Sequence, residues 1–326
     1  MPLLLSEEDI RIVLSMDDLI VAMRTALEQF SAGAVIQPVR TVVEVGLQRA
    51  AFAVMPAFIA NPPALGAKLV TVFASNADAG LPTHLATILL LDSMTGELVA
   101  ILDGRLITEM RTAAVSAVST QVLARQDAGI LAVIGSGVQA RSHVEAIGRV
   151  RELREIRAWS PNAGRLAQFV GEMTPRCRTG ITGCGSAREA VEGADIIVLA
   201  TSSREPVVRS AWIGDGAHVC AVGACRPRER EMETALVARG RVFVDSRNGA
   251  LAEAGDLLIP IAEAAFDASH IAGELGEAAA GSVPGRRTAA EVTIFKSLGM
   301  GAEDLAAAHL AYEKAAERGL GRGFVL

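Results

Sequence analysis

Residues 130–150 constrain the fold of this 326-residue chain more than any other stretch. Ile130-Leu-Ala-Val-Ile134 is an all-apolar run of strand length, the kind that is buried on both faces of a parallel sheet. It passes directly into Gly135-Ser136-Gly137-Val138-Gln139-Ala140, after which Ala140, Val144, Ile147 and Val150 recur at helical spacing. Each small residue answers a physical need. Gly135 permits a tight turn, Gly137 lets the backbone approach a pyrophosphate, and Ala140 allows the helix to pack close to the strand. The helix N-terminus then offers free N–H groups and the positive end of its dipole to phosphates. A lone G-x-G would equally suit a glycine-rich turn in any α/β domain. The strand before it, the helix after it and the rhythm that follows point instead to a dinucleotide site.

That rhythm consists of short apolar runs at Glu155–Trp159, Ile196–Ala200, His218–Val222 and Val242–Asp245, separated by helical or loop segments. Such alternation predicts a doubly wound parallel sheet. The first hundred residues read differently. Ser6 with Asp9 and Ser15 with Asp18 are acidic variants of the capping box and start two helices. Leu19, Ile20, Met23, Ala26, Leu27 and Phe30 give the second helix an apolar face, and Gly33 stops it. Thr41–Val45, Ala50–Met55, Ala67–Phe73 and Thr87–Leu91 then read as strands, with a hairpin turn at Met94–Glu97 leading into Leu98–Leu102. This part is α+β with antiparallel pairing. The Ala-rich stretch Ala302–Glu317 is a helix suited to packing back on it.

Composition narrows the function classes. With 51% hydrophobic and 21% charged residues, the chain is no disordered segment. A net charge of −6 argues against nucleic acid or an anionic membrane surface as partner. No apolar run approaches a membrane span, and the acidic start of the chain lacks the basic region of a signal peptide, so a cytoplasmic location is expected. The four cysteines at 177, 184, 220 and 225 fit neither a C-x-x-C nor a zinc spacing; reduced thiols and no metal are expected. Only three of the 31 basic residues are lysine (Lys68, Lys296 and Lys314), which makes each worth inspection.

An NAD site usually places Asp or Glu at the end of the second strand, on the ribose 2′-hydroxyl. Here that strand runs into Ser160-Pro-Asn162-Ala-Gly-Arg165, with no acid. Ser160, Asn162 and Arg165 suit a 2′-phosphate instead, although a solvated helix-start arginine is the plainer reading of Arg165. NADP(H) is favoured over NAD(H).

The sequence resembles the ornithine cyclodeaminase/mu-crystallin superfamily over nearly its whole length. The matching segments are Gln37-Pro-Val-Arg-Thr41, Val54-Met-Pro-Ala57, Gly66-Ala-Lys-Leu-Val70, Gly80-Leu-Pro-Thr83, Leu102-Asp-Gly104 and Met110-Arg-Thr-Ala-Ala114. Further on come Gly135-Ser-Gly-Val-Gln-Ala-Arg-Ser142, Gly255-Asp-Leu-Leu-Ile-Pro260 and Phe295-Lys-Ser-Leu-Gly299. The resemblance implies a split α+β domain for substrate binding and dimerisation, residues 1–112 with 305–326, and a Rossmann-type NAD(P)-binding domain inserted at 113–304. It further implies a homodimer and a small cyclic imino-acid or amino-acid substrate. Arg40, Lys68 and Arg111 match the family's carboxylate-binding positions, and Met55 joins them as a substrate-binding candidate. Guanidinium groups hold a carboxylate bidentately and so orient the α-carbon, while a lysine within an apolar strand requires a partner or a lowered pKa. The candidate cofactor set is Thr112, Gly135, Ser136, Gly137, Val138, Gln139, Ala140, Ser160, Asn162, Arg165, Thr201, Ser202, Val222 and Gly223.

Two departures bear on the reaction. Cyclodeaminases of this superfamily resemble one another in an acid two positions before Met-Pro and in an Asp after Ala-Val-Gly-Gly; here these are Ala53 and Cys225, in Ala221-Val-Gly-Ala-Cys225-Arg-Pro227. Without those carboxylates the acid/base groups for cyclodeamination are missing, and the pattern looks like the mu-crystallin type, where the chemistry is imine reduction. Lys68, Cys225 and His84 are the catalytic candidates. For Cys225 a space-filling role at a strand end is the favoured reading over proton donation, His84 reads equally as a structural histidine or a cleft residue, and His143 reads as part of the cofactor helix. The expected activity is NAD(P)H-dependent reduction of Δ1-pyrroline-2-carboxylate or Δ1-piperideine-2-carboxylate to L-proline or L-pipecolate. An alanine-dehydrogenase-like activity, ornithine cyclodeamination and non-catalytic NADP binding follow in that order.

Overall fold

The computed structural model describes residues 1–46 and 50–325 and divides into two compact units, Met1–Arg111 with Met300–Leu326, and Thr112–Gly299. The first begins with β1 (Leu3–Leu5), α1 (Glu7–Val13) and α2 (Met16–Ser31). Ser6 Oγ accepts from Asp9 N at 3.2 Å while the Asp9 carboxylate accepts from Ser6 N at 2.9 Å, a reciprocal cap that satisfies two backbone donors. Strands β2 (Val35–Ile36), β3 (Thr41–Val45), β4 (Ala50–Ala60), β5 (Pro63–Val72), β6 (His84–Leu91) and β7 (Leu98–Asp103) follow. β4 continues well past the expected Met55, because its buried alternation runs on through Ala57 and Ile59. α3 (Gly104–Leu123) then carries the chain into the second unit, its first turn capped by Asp103 Oδ1, which accepts from Arg105 N at 3.0 Å and Leu106 N at 3.1 Å.

The second unit contains β8 (Ile130–Ile134), α4 (Val138–Val150), β9 (Glu155–Trp159), α5 (Ala163–Met173), β10 (Ile181–Gly183), α6 (Ala187–Val191) and β11 (Ile196–Leu199). It continues through β12 (His218–Ala221), α7 (Thr234–Arg239), β13 (Arg241–Val244), α8 (Arg247–Glu253), α9 (Gly255–Ala262), β14 (Ile271–Glu274), α10 (Leu275–Ala279) and β15 (Thr293–Lys296). The strand order is β10-β9-β8-β11-β12-β15-β13-β14, with every pairing parallel. β8 is the third of the eight strands, and the order reverses between β8 and β11, the switch point at whose carboxyl end such sheets bind ligands. The sequence reading missed β10, β14 and β15. They are three or four residues long, too short for periodicity to mark, and β15 enters between β12 and β13 through pairing that no local pattern specifies.

The first unit resumes with α11 (Gly301–Glu317) and β16 (Arg322–Gly323), completing the sheet order β16-β1-β7-β6-β5-β4-β2 with β3 also on β4. Ala302, Leu305, Ala308, Ala311 and Ala315 of α11 are buried, as the small-residue face of the Ala-rich stretch predicts. The return falls at Met300, five residues before the expected 305, and the first segment ends at Arg111. The reason is electrostatic: Glu303 and Asp304, at the head of α11, pair with Arg111 and Lys68 of the first unit. Lys314, near the end of α11, places its ammonium 2.5 Å from Asp18 of α2.

Candidate active site

In the second unit Gly135 leaves β8 at φ +126°, and a Cβ there would stand 2.4 Å from Ala200 O, so the turn admits only glycine. Gly137 begins α4 with no side-chain cap, and a Cβ at Gly137 would meet nothing within 4 Å. The uncapped helix N-terminus therefore fronts open space, as a bound phosphate requires. Ala140 is fully buried with Val144 and Ile147, which seats α4 on the sheet. From behind, Arg141 donates to Ser136 O at 2.7 Å and Gly137 O at 3.1 Å, and is itself held by Glu172 at 2.6 Å. These residues fit a dinucleotide pyrophosphate.

Beyond β9, Ser160 Oγ accepts from Ser136 Oγ at 3.0 Å, joining the two loops. Asn162 Oδ1 caps α5 by accepting from Arg165 N at 2.9 Å, so its carbonyl is engaged locally. The Arg165 side chain is exposed and has no ion pair among the described residues. His143 lies fully buried on α4, with Nδ1 2.7 Å from Gln139 O and Nε2 2.9 Å from Ser116 Oγ of α3. Burial pushes its pKa down to about 4, so it joins two helices as a neutral ring.

The loops after β11 and β12 are organised by a residue the sequence reading did not single out. Glu231 Oε1 accepts from Thr201 N at 2.8 Å and Thr201 Oγ1 at 2.7 Å; Oε2 accepts from Gly223 N at 2.7 Å and Ala224 N at 3.2 Å. The donors of Thr201 and Gly223 are thus directed at Glu231 and unavailable to a cofactor. Val222 is buried with its N–H on Leu199 O at 2.9 Å, Ser202 is exposed, and Thr112 is buried within α3. Cys225 is half-buried, its Sγ 3.7 Å from Val222 O. None of the four cysteines is in a disulfide.

The first unit holds a buried ionic cluster. Strand alternation places Lys68 on the face of β5 that α11 covers, in register with Met55 on β4 and Ile88 on β6. Lys68 Nζ lies 2.6 Å from Asp304 Oδ2 and 3.4 Å from Thr108 Oγ1. Arg111, buried on α3, donates from Nη1 to Glu303 at 2.6 Å and from Nε to Asp304 at 2.8 Å. Two carboxylates balance two cations, which such burial demands. Desolvation nonetheless brings the Lys68 pKa down to about 8, Asp304 opposing the fall while Arg111 and Arg40 deepen it. The two cations beside Asp304 keep its carboxyl below the usual range against burial, which pushes the other way. Arg40, half-buried just before β3, thus belongs to the same field. His84, at the start of β6, is pushed down to about 4 by burial and then by Lys68 and Arg111, so it is neutral at physiological pH. The structure therefore brings Arg40, Met55, Lys68, His84 and Arg111 into one neighbourhood. It adds Glu303 and Asp304, whose place at the head of an apolar helix reads in sequence as a cap for the dipole.

Residues 1–319 match the ornithine cyclodeaminase/mu-crystallin family. The chain is 40% identical over 316 residues to the ketimine reductase mu-crystallin of Mus musculus, covering 96% of this chain and 97% of that one. It superposes with a TM-score of 0.97 on the Δ1-pyrroline-2-carboxylate reductase of Thermococcus litoralis solved with NADH and L-proline, at 39% identity and covering 99% of this chain and 100% of that one. An archaeal alanine dehydrogenase dimer with bound NAD gives 0.94 at 28% identity, covering 100% and 99%. With a match of this extent and relatives of this identity, the chain belongs to the ornithine cyclodeaminase/mu-crystallin family.

Proposed function

We propose that this protein is an NAD(P)H-dependent reductase of cyclic imino acids, converting Δ1-pyrroline-2-carboxylate or Δ1-piperideine-2-carboxylate to L-proline or L-pipecolate. The observation that carries the reading is the Lys68–Arg111 cluster, a buried pair of cations in a chain whose relatives reduce cyclic imines. The Gly135–Ala140 loop would hold the pyrophosphate of a reduced dinucleotide, which when bound would supply a hydride to the α-carbon of the ring C=N bond, whose nitrogen would keep the π pair and take one proton. Arg111 and Arg40 hold the substrate carboxylate and thereby fix which carbon is presented. Lys68, with a pKa of about 8, is protonated at neutral pH and donates the proton that nitrogen requires; water then returns it. Neutral His84 acts as a hydrogen-bonding wall, and Cys225 fills space at the end of β12.

Arg165 and the lack of an acid beyond β9 support NADP(H) as the preferred cofactor. The exposed apolar strip of Ile36, Val39, Val42, Val43 and Val45 supports a homodimer formed through the first unit. No helix among the described residues is long and apolar enough to cross a membrane. Cysteines outside any disulfide support a cytoplasmic location. Ala53, buried against Met55 and Val70 where a cyclodeaminase would carry an acid, ranks cyclodeamination below reduction.

The test is a panel of cyclic imines, pyruvate with ammonia, and ornithine, each with NADH and NADPH. Cyclic imines should oxidise the cofactor fastest. Release of ammonia from ornithine together with proline would overturn the ranking.

A further inference from the structure

We propose that Glu231 is the positioning residue for the nicotinamide half of the cofactor site, clamping the loops after β11 and β12 into a single rigid wall. The proposal rests on the reading of the Gly135–Ala140 loop as a dinucleotide site. That loop follows β8, and Ser160 lies beyond β9 on one side of it, so the adenosine half is directed toward β9. In a sheet of this order the other half lies over the opposite neighbours, the carboxyl ends of β11 and β12. These are the ends that Glu231 joins.

The carboxylate is fully buried and takes four hydrogen bonds, two on each oxygen, from two separate loops. The fit is close: a Cβ on Gly223 would come within 2.1 Å of Thr201 O and 2.5 Å of Glu231 Oε1. The Ala224 residue is held from both ends, its N–H by Glu231 and its carbonyl by Lys296 Nζ at 2.5 Å. Lys296 is placed in turn by Asp256 at 3.1 Å, and the other Asp256 oxygen accepts from Glu231 N at 2.8 Å and Met232 N at 2.9 Å. The ring of Glu231, Ala224, Lys296 and Asp256 closes on itself, and all four residues are buried.

A carboxylate is the one neutral-pH side chain of this length that accepts on both oxygens. Glutamine can satisfy one loop, but its amide NH2 then faces the N–H donors of the other. Glu231→Gln should therefore open the clamp on one side while preserving volume. The experiment compares equilibrium binding of whole reduced dinucleotide with that of ADP, which reaches only the phosphate loop and the β9 side. Glu231→Gln should weaken the dinucleotide by on the order of tenfold or more, with ADP affinity within about twofold of wild type. Equal weakening of both would show a general support of the fold, and unchanged dinucleotide binding would show no clamp; either overturns the proposal. If Glu231→Gln fails to fold, Thr201→Val, which removes one of the four bonds, decides in the same way, by selective loss or by none. Failure of the wild type to bind either nucleotide would overturn the cofactor reading itself, and the proposal with it.

Discussion

Asp304 holds Lys68 at 2.6 Å through one oxygen while its other oxygen accepts from Arg111, so one buried carboxylate sets the charge of both proposed substrate cations. Removing one partner of such a cluster leaves a charge uncompensated in a place that cannot solvate it. With Lys68 as proton donor, kcat/KM should fall as pH rises through about 8, because the ammonium form is lost there. Asp304 is what raises this value against desolvation, so Asp304→Asn should move the alkaline limb to lower pH. The same variant should lose about 3–5 kcal/mol of stability by denaturant unfolding. An unmoved alkaline limb in Asp304→Asn would exclude Lys68 as the group that titrates.

Arg111→Ala should abolish turnover with little change in cofactor affinity. Its guanidinium belongs to the first unit's ionic cluster, whereas the Gly135–Ala140 loop is built wholly from the second unit. Calorimetric titration with NADPH checks this. A large loss of NADPH binding would remove the carboxylate-holding role.

Arg165→Ala should weaken NADPH more than NADH. The side chain is exposed and has no carboxylate partner among the described residues, so the variant should fold normally and report only the 2′-phosphate contact, worth on the order of 1.5–3 kcal/mol for a charge-assisted hydrogen bond. Equal effects on both cofactors would contradict that contact.

Acid should unfold the protein through His143 and His218. Burial holds their pKa values down to about 4 and about 3, against an unfolded value of 6.5. Below the unfolded value the denatured chain gains protons that the native rings refuse. Their contribution is full above pH 6.5 and lost as pH falls toward the folded values. Each histidine should cost about 1.4 kcal/mol per pH unit, or about 4 kcal/mol for the pair by pH 5. Denaturant midpoints measured across this range check the slope, and His143→Gln should remove about 1.4 kcal/mol per pH unit of it.

The loop proposed to take a phosphate was legible because everything it is built from is local: an apolar strand, two glycines, an alanine and an amphipathic helix within about twenty residues. Lys68 announced itself for a related reason, since an ammonium in an apolar strand must have a partner. Which partner was hidden, because Asp304 lies 236 residues downstream, where an acidic first turn reads as helix capping. Glu231 was hidden more completely. Arg226-Pro-Arg-Glu-Arg-Glu231-Met-Glu233 reads as a solvated run of charge, yet Glu231 within it is buried and receives four hydrogen bonds.

By itself the sequence determined the two kinds of architecture, the strand–glycine turn–helix at Ile130–Val150 and the cations of the first unit, because periodicity, turn chemistry and charge in an apolar setting act over a few residues. Only the tertiary structure decided the insertion of β15 into the middle of the sheet, the return of the chain at Met300, and the carboxylates that neutralise Lys68 and Arg111 and join Thr201 to Gly223. Those features depend on which distant groups share a dry interior, where a charge must be matched by whatever the fold brings within about 3 Å of it.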